Sequence, residues 1–139
     1  MLSSIGKRRG VRGIDTNIVV RLLTADDPKQ AQAARRVVEG GDIFIPITVM
    51  LETEWVLRAG YGFQASHIAA AIRGVAGLPG VSVEQPARLA SALEWMEDGM
   101  DFADALHLAG AGHCSVFLTF DRKFAKRASK PGVIPVALP

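Results

Sequence analysis

Short apolar runs alternate with segments of helical period along almost the whole chain. That alternation constrains the fold more than any other feature. Two strands joined through a helix lie parallel in one sheet, because the crossover is too long for a hairpin. "VRGID", residues 11–15, reads as the first strand, and "NIVVRLLTADD" as the helix after it. In "DDPKQAQAARRVVEGG", Asp27 is placed to cap, Pro28 suits a first helical turn, and Gly40 and Gly41 end the helix. "DIFIPI" is a second strand, cut by Pro46. "TVMLETEWVLRAGYG" is a helix that opens on a capping threonine, Thr48, and ends near Gly60. "QASHIAAAIRGVAGLPG" is a further helix, "VSVE" a short strand, and "QPARLASALEWMEDG" and "DFADALHLAGAGHC" two helices separated at Gly99. "SVFLTFD" is a strand with an acid at its end, "RKFAKRAS" a short helix and "GVIPV" a last strand. The fold class implied is α/β, a single domain with a mainly parallel central sheet flanked by helices.

The 139 residues suit one domain, and 49% of them are hydrophobic. No apolar run reaches the roughly 18–20 residues needed to span a bilayer. The basic residues of "MLSSIGKRRG" are not followed by the apolar stretch of a secretory signal. A soluble, cytoplasmic protein without membrane association is the expectation. Residues 1–10 read as a basic N-terminal extension, a candidate for disorder, with the folded domain over 11–139; Val11 is a candidate alternative start. The single cysteine, Cys114, excludes an internal disulfide and a cysteine-based zinc site, and is expected to be a buried thiol.

Charge is unevenly distributed. Residues 1–13 carry Lys7, Arg8, Arg9 and Arg12 and no acid. Residues 121–139 carry Arg122, Lys123, Lys126, Arg127 and Lys130 against Asp121. Residues 94–104 carry Glu94, Glu97, Asp98, Asp101 and Asp104 and no base. Basic ends around an acidic centre suit a polyanion together with a cation site, though solvated surface charge explains the same pattern.

Ligands of open parallel sheets bind beyond the carboxyl ends of the strands. Asp15 after "VRGI" and Asp121 after "VFLTF" fall at that edge. Glu52 lies about one turn into the helix after the second strand, and Asp104 one turn into "DFADALHLA" with Asp101 on the same face. Gathered carboxylates repel one another unless a cation neutralises them, and Mg²⁺ is the hard cation commonly held by a few carboxylates and water. Such an ion activates water and stabilises a leaving oxygen, which points to phosphodiester cleavage. Each acid also has a structural reading. Asp15, Asp101 and Asp121 each stand where they could cap a helix, and for Asp101 capping leads. Asp104, among Phe102, Ala103, Ala105 and Leu106, needs a partner and favours function. Glu54 is about 200° around the helix from Glu52 and is read as surface. Of His67, His107 and His113, His107 could face the same edge but reads first as half-buried. No HExxH, GxxxxGK[ST] or GxGxxG occurs.

"IDTNIVVRLLT", "ITVMLETEWVLRAGYG", "DFADALHLA" and "FLTFDRKFAK", in this order and spacing, resemble the PIN-domain family, and within it the VapC-type toxins of toxin–antitoxin pairs. The resemblance covers about residues 12–137. It implies an endoribonuclease dependent on Mg²⁺ or Mn²⁺, hydrolysing RNA through a metal-activated water. The family's acids map to Asp15, Glu52, Asp104 and Asp121 as catalytic and metal-binding residues, with Asp101 as an additional metal ligand. Thr16, Asn17 and Thr119 match supporting polar positions. With the acids so assigned, the capping role at the first helix passes from Asp15 to Asn17. Arg122, Lys123, Lys126 and Arg127 are candidates for RNA contact. The resemblance further implies a homodimer and a cognate VapB-like antitoxin in a toxin–antitoxin hetero-oligomer. Two other readings stand beside it. One is a nucleic-acid-binding protein that keeps the fold without the activity. The other is a haloacid-dehalogenase-type phosphatase, which needs an acid two residues after Asp15, where this chain has Asn17.

Overall fold

The computed structural model describes residues 10–139, so the expected N-terminal extension lies, but for Gly10, outside the described residues. Every described strand pairs in parallel. β1 (Arg12–Gly13), β2 (Ile43–Ile45) and β3 (Val81–Val83) form one sheet in that order, with Gly13 opposite Phe44 and Ile45 opposite Val83. β4 (Phe117–Leu118) and β5 (Val136–Ala137) form a separate parallel pair. The expected central sheet is therefore divided into three strands and two. The strands are also shorter than their apolar runs: β2 stops at Pro46, which has no amide hydrogen to pair, and Ile14 after β1 is followed by Asp15, which caps the next helix. β2 is central, and its Ile43 and Ile45 are fully buried.

Among the described residues, seven α-helices surround the strands: α1 (Thr16–Thr24), α2 (Pro28–Glu39), α3 (Ile47–Trp55), α4 (Ala65–Ala76), α5 (Pro86–Glu97), α6 (Phe102–Gly110) and α7 (Arg122–Arg127). α3 runs on through a wider π-helical turn, Val56–Gly60. The stripe Leu89, Leu93 and Met96 of α5 packs against α6, which buries Phe102, Ala105, Leu106 and Leu108. α3 packs against both α1 and α6, and so joins the first strand to the acidic segment.

The helix starts show which side chains cap. α2 begins as expected, with Asp27 Oδ1 accepting the Gln30 amide at 3.1 Å and Pro28 in the first turn. α3 does not begin on Thr48. It starts one residue earlier, at Ile47, whose amide donates to Glu84 Oε1 at 2.9 Å. Pro46 has no side-chain oxygen to offer, so the cap comes from the residue just after β3. Cys114 is exposed, contrary to the buried thiol expected, because α6 ends at Gly110 before the chain reaches it.

Two glycines in the left-handed region mark where neighbouring turns meet. Gly41 (φ 75°) precedes β2 and Gly80 (φ 76°) precedes β3, and a Cβ on Gly80 would stand 2.8 Å from Gly41 Cα. A Cβ on Gly41 meets nothing within 4 Å. Gly41→Ala should therefore lose about 1–2 kcal/mol, the cost of the left-handed conformation alone. Gly80→Ala should lose clearly more, because backbone must also move. Urea unfolding of the two variants checks the order; equal losses would show that the two turns are not in contact.

Candidate active site

The first strand ends on an acid that caps the helix after it. Asp15 Oδ1 accepts the Ile18 amide at 3.2 Å at the start of α1. Asn17 does not take that role. It is exposed on α1 beside the α1–α2 groove, and its side chain makes no hydrogen bond among the described residues. A helix cap needs its oxygen before the first turn, and Asn17 is already inside it. Thr16 is the polar residue that organises this corner, donating from Oγ1 to Glu52 Oε1 at 2.5 Å. That bond ties the start of α1 to the second turn of α3.

Glu54 is the reverse of what its spacing suggests. It is only 3% exposed and receives Arg58 Nε at 2.7 Å and Nη2 at 3.4 Å. The separation from Glu52 holds, since Glu52 is exposed and the two acids leave α3 in different directions. Glu54 turns inward because the guanidinium one turn later neutralises it. Arg58 is the residue missed by reading the acids alone. Its guanidinium is held still more firmly protonated than usual, first by Glu54 and also by the charge of Asp101. Only the i,i+4 spacing of Glu54 and Arg58 could have signalled it. A cleft of ≈ 450 Å³ between α3 and α6 is lined by Glu52, Glu54, Trp55, Arg58 and Ala103.

At the start of α6, Asp101 Oδ2 accepts the Asp104 amide at 3.1 Å, the capping role expected of it. Asp104 itself is half-buried. Burial pushes its carboxyl above the usual range, the charges of Asp101 and Asp121 push it further, and His107 partly opposes them. His107 is exposed rather than half-buried, one turn along α6. Asp121 caps α7 through Oδ1 to the Phe124 amide at 3.0 Å. Thr119 Oγ1 accepts the Asp121 amide at 3.0 Å and fixes that turn. Three acids from two distant segments thus share one field around Asp104, while Asp15 and Glu52 are tied together through the Thr16 corner at α3.

Among the described residues, no three His, Cys, Asp or Glu side chains stand close enough to form a closed metal-ligand set. The donors present are carboxylate oxygens that repel one another at Asp104, which is the chemistry of a hard divalent cation retaining part of its water shell. An all-oxygen donor set of this kind suits a hard divalent cation and not a thiolate or imidazole metal.

The basic residues divide in two. Arg12 is structural, its Nη2 donating to Val37 O and Gly41 O at 3.0 Å each. Lys7, Arg8 and Arg9 lie outside the described residues. Arg127 reaches Asp98 O at 3.4 Å and Lys130 pairs with the Asp98 carboxylate at 3.1 Å. Arg122, Lys123 and Lys126 are exposed with no ion pair or hydrogen bond among the described residues.

A protein-family model, the PIN domain, matches residues 14–130. The chain belongs to the PIN-domain family. PIN domains are in general metal-dependent nucleases. No curated protein and no solved structure matches the chain significantly. Membership of the PIN family, with Asn17 in place of the second acid, leaves no support for the haloacid-dehalogenase reading. No helix among the described residues of this PIN domain is long and apolar enough to cross a membrane.

The raised carboxyl of Asp104 makes a stability prediction with a definite sign. A folded-state value above the ordinary 3.8 means that the folded protein binds the proton more tightly than the unfolded chain. Stability therefore falls as pH rises from 3.8 through the folded value, and the penalty is complete above it. Asp104→Asn should match wild type below that window and melt higher above it. Thermal melts across pH check this; a variant less stable than wild type at neutral pH would overturn it.

Proposed function

We propose that this PIN domain is a Mg²⁺- or Mn²⁺-dependent endoribonuclease and the toxin of a VapC-type toxin–antitoxin pair, working in the cytoplasm. The observation that carries the reading is Asp104, held half-buried between the charges of Asp101 and Asp121. Burial and like charge oppose the ionisation of Asp104 at its place in this cluster, and a bound cation would remove that repulsion.

Asp15, Glu52, Asp104 and Asp121 are the residues assigned to hold the ion, with Asp101 beside them. When bound, the cation supplies an activated water and charge stabilisation for the leaving oxygen of a phosphodiester. The chain's own residues supply position. Thr16 orients Glu52, Thr119 fixes the turn that carries Asp121, and the capped helices hold Asp15, Asp101 and Asp121 in place. Arg122, Lys123, Lys126 and Arg127 draw the RNA backbone toward an otherwise repulsive acidic edge. No side-chain nucleophile is required, and the products carry 5′-phosphate and 3′-hydroxyl ends. A cognate VapB-like antitoxin, a homodimer and their hetero-oligomer complete the proposal.

A second reading, RNA binding without cleavage, draws on the spacing of the acids, no three of which form a closed ligand set among the described residues. One experiment separates the two. Protein freed of any partner is incubated with structured RNA in Mg²⁺, in Mn²⁺ and in EDTA. Cleavage should require the metal and fall about a hundredfold or more in Asp15→Asn and Asp104→Asn, as for loss of a charge-stabilising group. Cleavage that survives EDTA sinks the metal mechanism, and intact but bound RNA favours the second reading. Expression should arrest growth, with relief by the same substitutions and by a neighbouring small open reading frame. A wild type as harmless as Asp104→Asn removes the toxin role.

A further inference from the structure

Phe120 is 88% exposed, the most exposed large apolar side chain among the described residues. It lies between Thr119 and Asp121, and both neighbours are fixed. Asp121 N donates to Thr119 Oγ1 at 3.0 Å, and the Asp121 carboxylate caps α7. The ring is therefore carried on a pinned turn. It is not needed for packing: Phe117 fills that role, edge-on to Phe124 with centroids 5.8 Å apart. Phe120 itself stacks on no other ring among the described residues.

The three residues after Phe120 identify the kind of partner. Asp121, Arg122 and Lys123 are all exposed, and the two cations have no ion pair among the described residues. Aromatic residues and Arg are enriched at the centre of a protein–protein interface, but Lys and Asp, whose desolvation is costly, are depleted there, so Asp121 and Lys123 weigh against one. Single-stranded nucleic acid instead offers a flat apolar base for the ring and phosphates for the cations on the same short segment. We propose that Phe120 is a stacking platform for one nucleobase beside the acid cluster. This rests on the ribonuclease reading and adds a base-contacting residue to it. Inside a duplex the base faces are taken up by their neighbours, so the ring gains a stack only from an unpaired base or at a duplex end. Leu118 (59% exposed) and Val116 (37%) continue the same side of the strand, and that is the feature a protein partner would use instead.

The test uses the full chain in an Asp104→Asn background, so that bound RNA stays intact. A short single-stranded RNA carrying one 2-aminopurine is titrated in, beside a blunt duplex of the same sequence. The parent should quench the fluorescent base and prefer the single strand. Phe120→Ala should lose the quench and bind about tenfold more weakly, the scale of one lost stack. Phe120→Trp should restore both. The dependence of binding on salt should stay the same, since no phosphate contact is lost. An alanine variant that binds and quenches like the parent overturns the stacking role and leaves the ribonuclease reading intact. A parent that binds no RNA sinks both. If Phe120→Ala instead shifts the free protein's sedimentation toward a smaller species, the ring belongs to a protein interface and the inference fails.

Discussion

Four helices of this fold start on an aspartate whose carboxylate accepts the amide three residues on: Asp15, Asp27, Asp101 and Asp121. That interaction fixes where the chain turns, and three of the four turns lie around α3 or Asp104. Capping and cation binding are rival explanations of these acids only while the sequence stands alone. The structure removes the rivalry, because a cap uses one oxygen and leaves the other free to face outward. Asp27 shows the converse. It caps as well as the others, but α2 begins in the loop after α1, and the neighbouring acid, Asp26, is taken up by Arg21, Thr24 and Tyr61. A cap becomes part of a site only when the fold brings its helix start to a shared edge.

Asp104 is the member that the capping pattern does not explain. It lies inside the first turn of α6 and uses no side-chain oxygen for a cap, so its carboxylate is not tied into a helix start as those of Asp101 and Asp121 are. Its position is imposed by its neighbours. Phe102 and Ala105 are buried on either side, and α6 is locked onto the apolar stripe of α5. The core thus holds a carboxylate where desolvation and like charges oppose ionisation. Glu54 and Arg58 show the opposite arrangement, an acid more deeply buried yet matched by a guanidinium. On helices that pack together, Glu54 is matched by a guanidinium, whereas at Asp104 burial and like charge outweigh His107.

Much of this is readable from residue order. The strand–helix alternation, the Asp27–Pro28 helix start and the four blocks that resemble the PIN family are local patterns, and the family match spans residues 14–130. The features that residue order hides are tertiary. Glu54 reads as surface because helical spacing gives an angle but not which side faces the protein. The cap of α3 comes from Glu84, 37 residues away from Ile47, which no local rule finds. Cys114 reads as buried because "ALHLAGAGH" has the pattern of one helix, whereas the helix stops at Gly110 and releases the thiol to solvent. Asn17 reads as the cap of α1 only if the helix starts later than Thr16, its actual first residue.

The distribution of cations completes the electrostatic logic. Arg12 is consumed in holding β1 to the end of α2, and Lys130 is matched by Asp98. The cations left uncommitted among the described residues of the C-terminal segment are Arg122, Lys123 and Lys126, all on α7 and directly after Asp121. The positive charge therefore begins where the acid cluster ends. A neutral ligand would gain nothing from that order, and a cation would be drawn to the cluster but repelled along α7. A polyanion would be attracted along α7 and repelled at the cluster, unless a divalent cation bridged the two. On the proposed reading, the carboxylates that repel a phosphate without an ion would hold it through one, which is how caps and cations side by side would serve a metal-bridged polyanion.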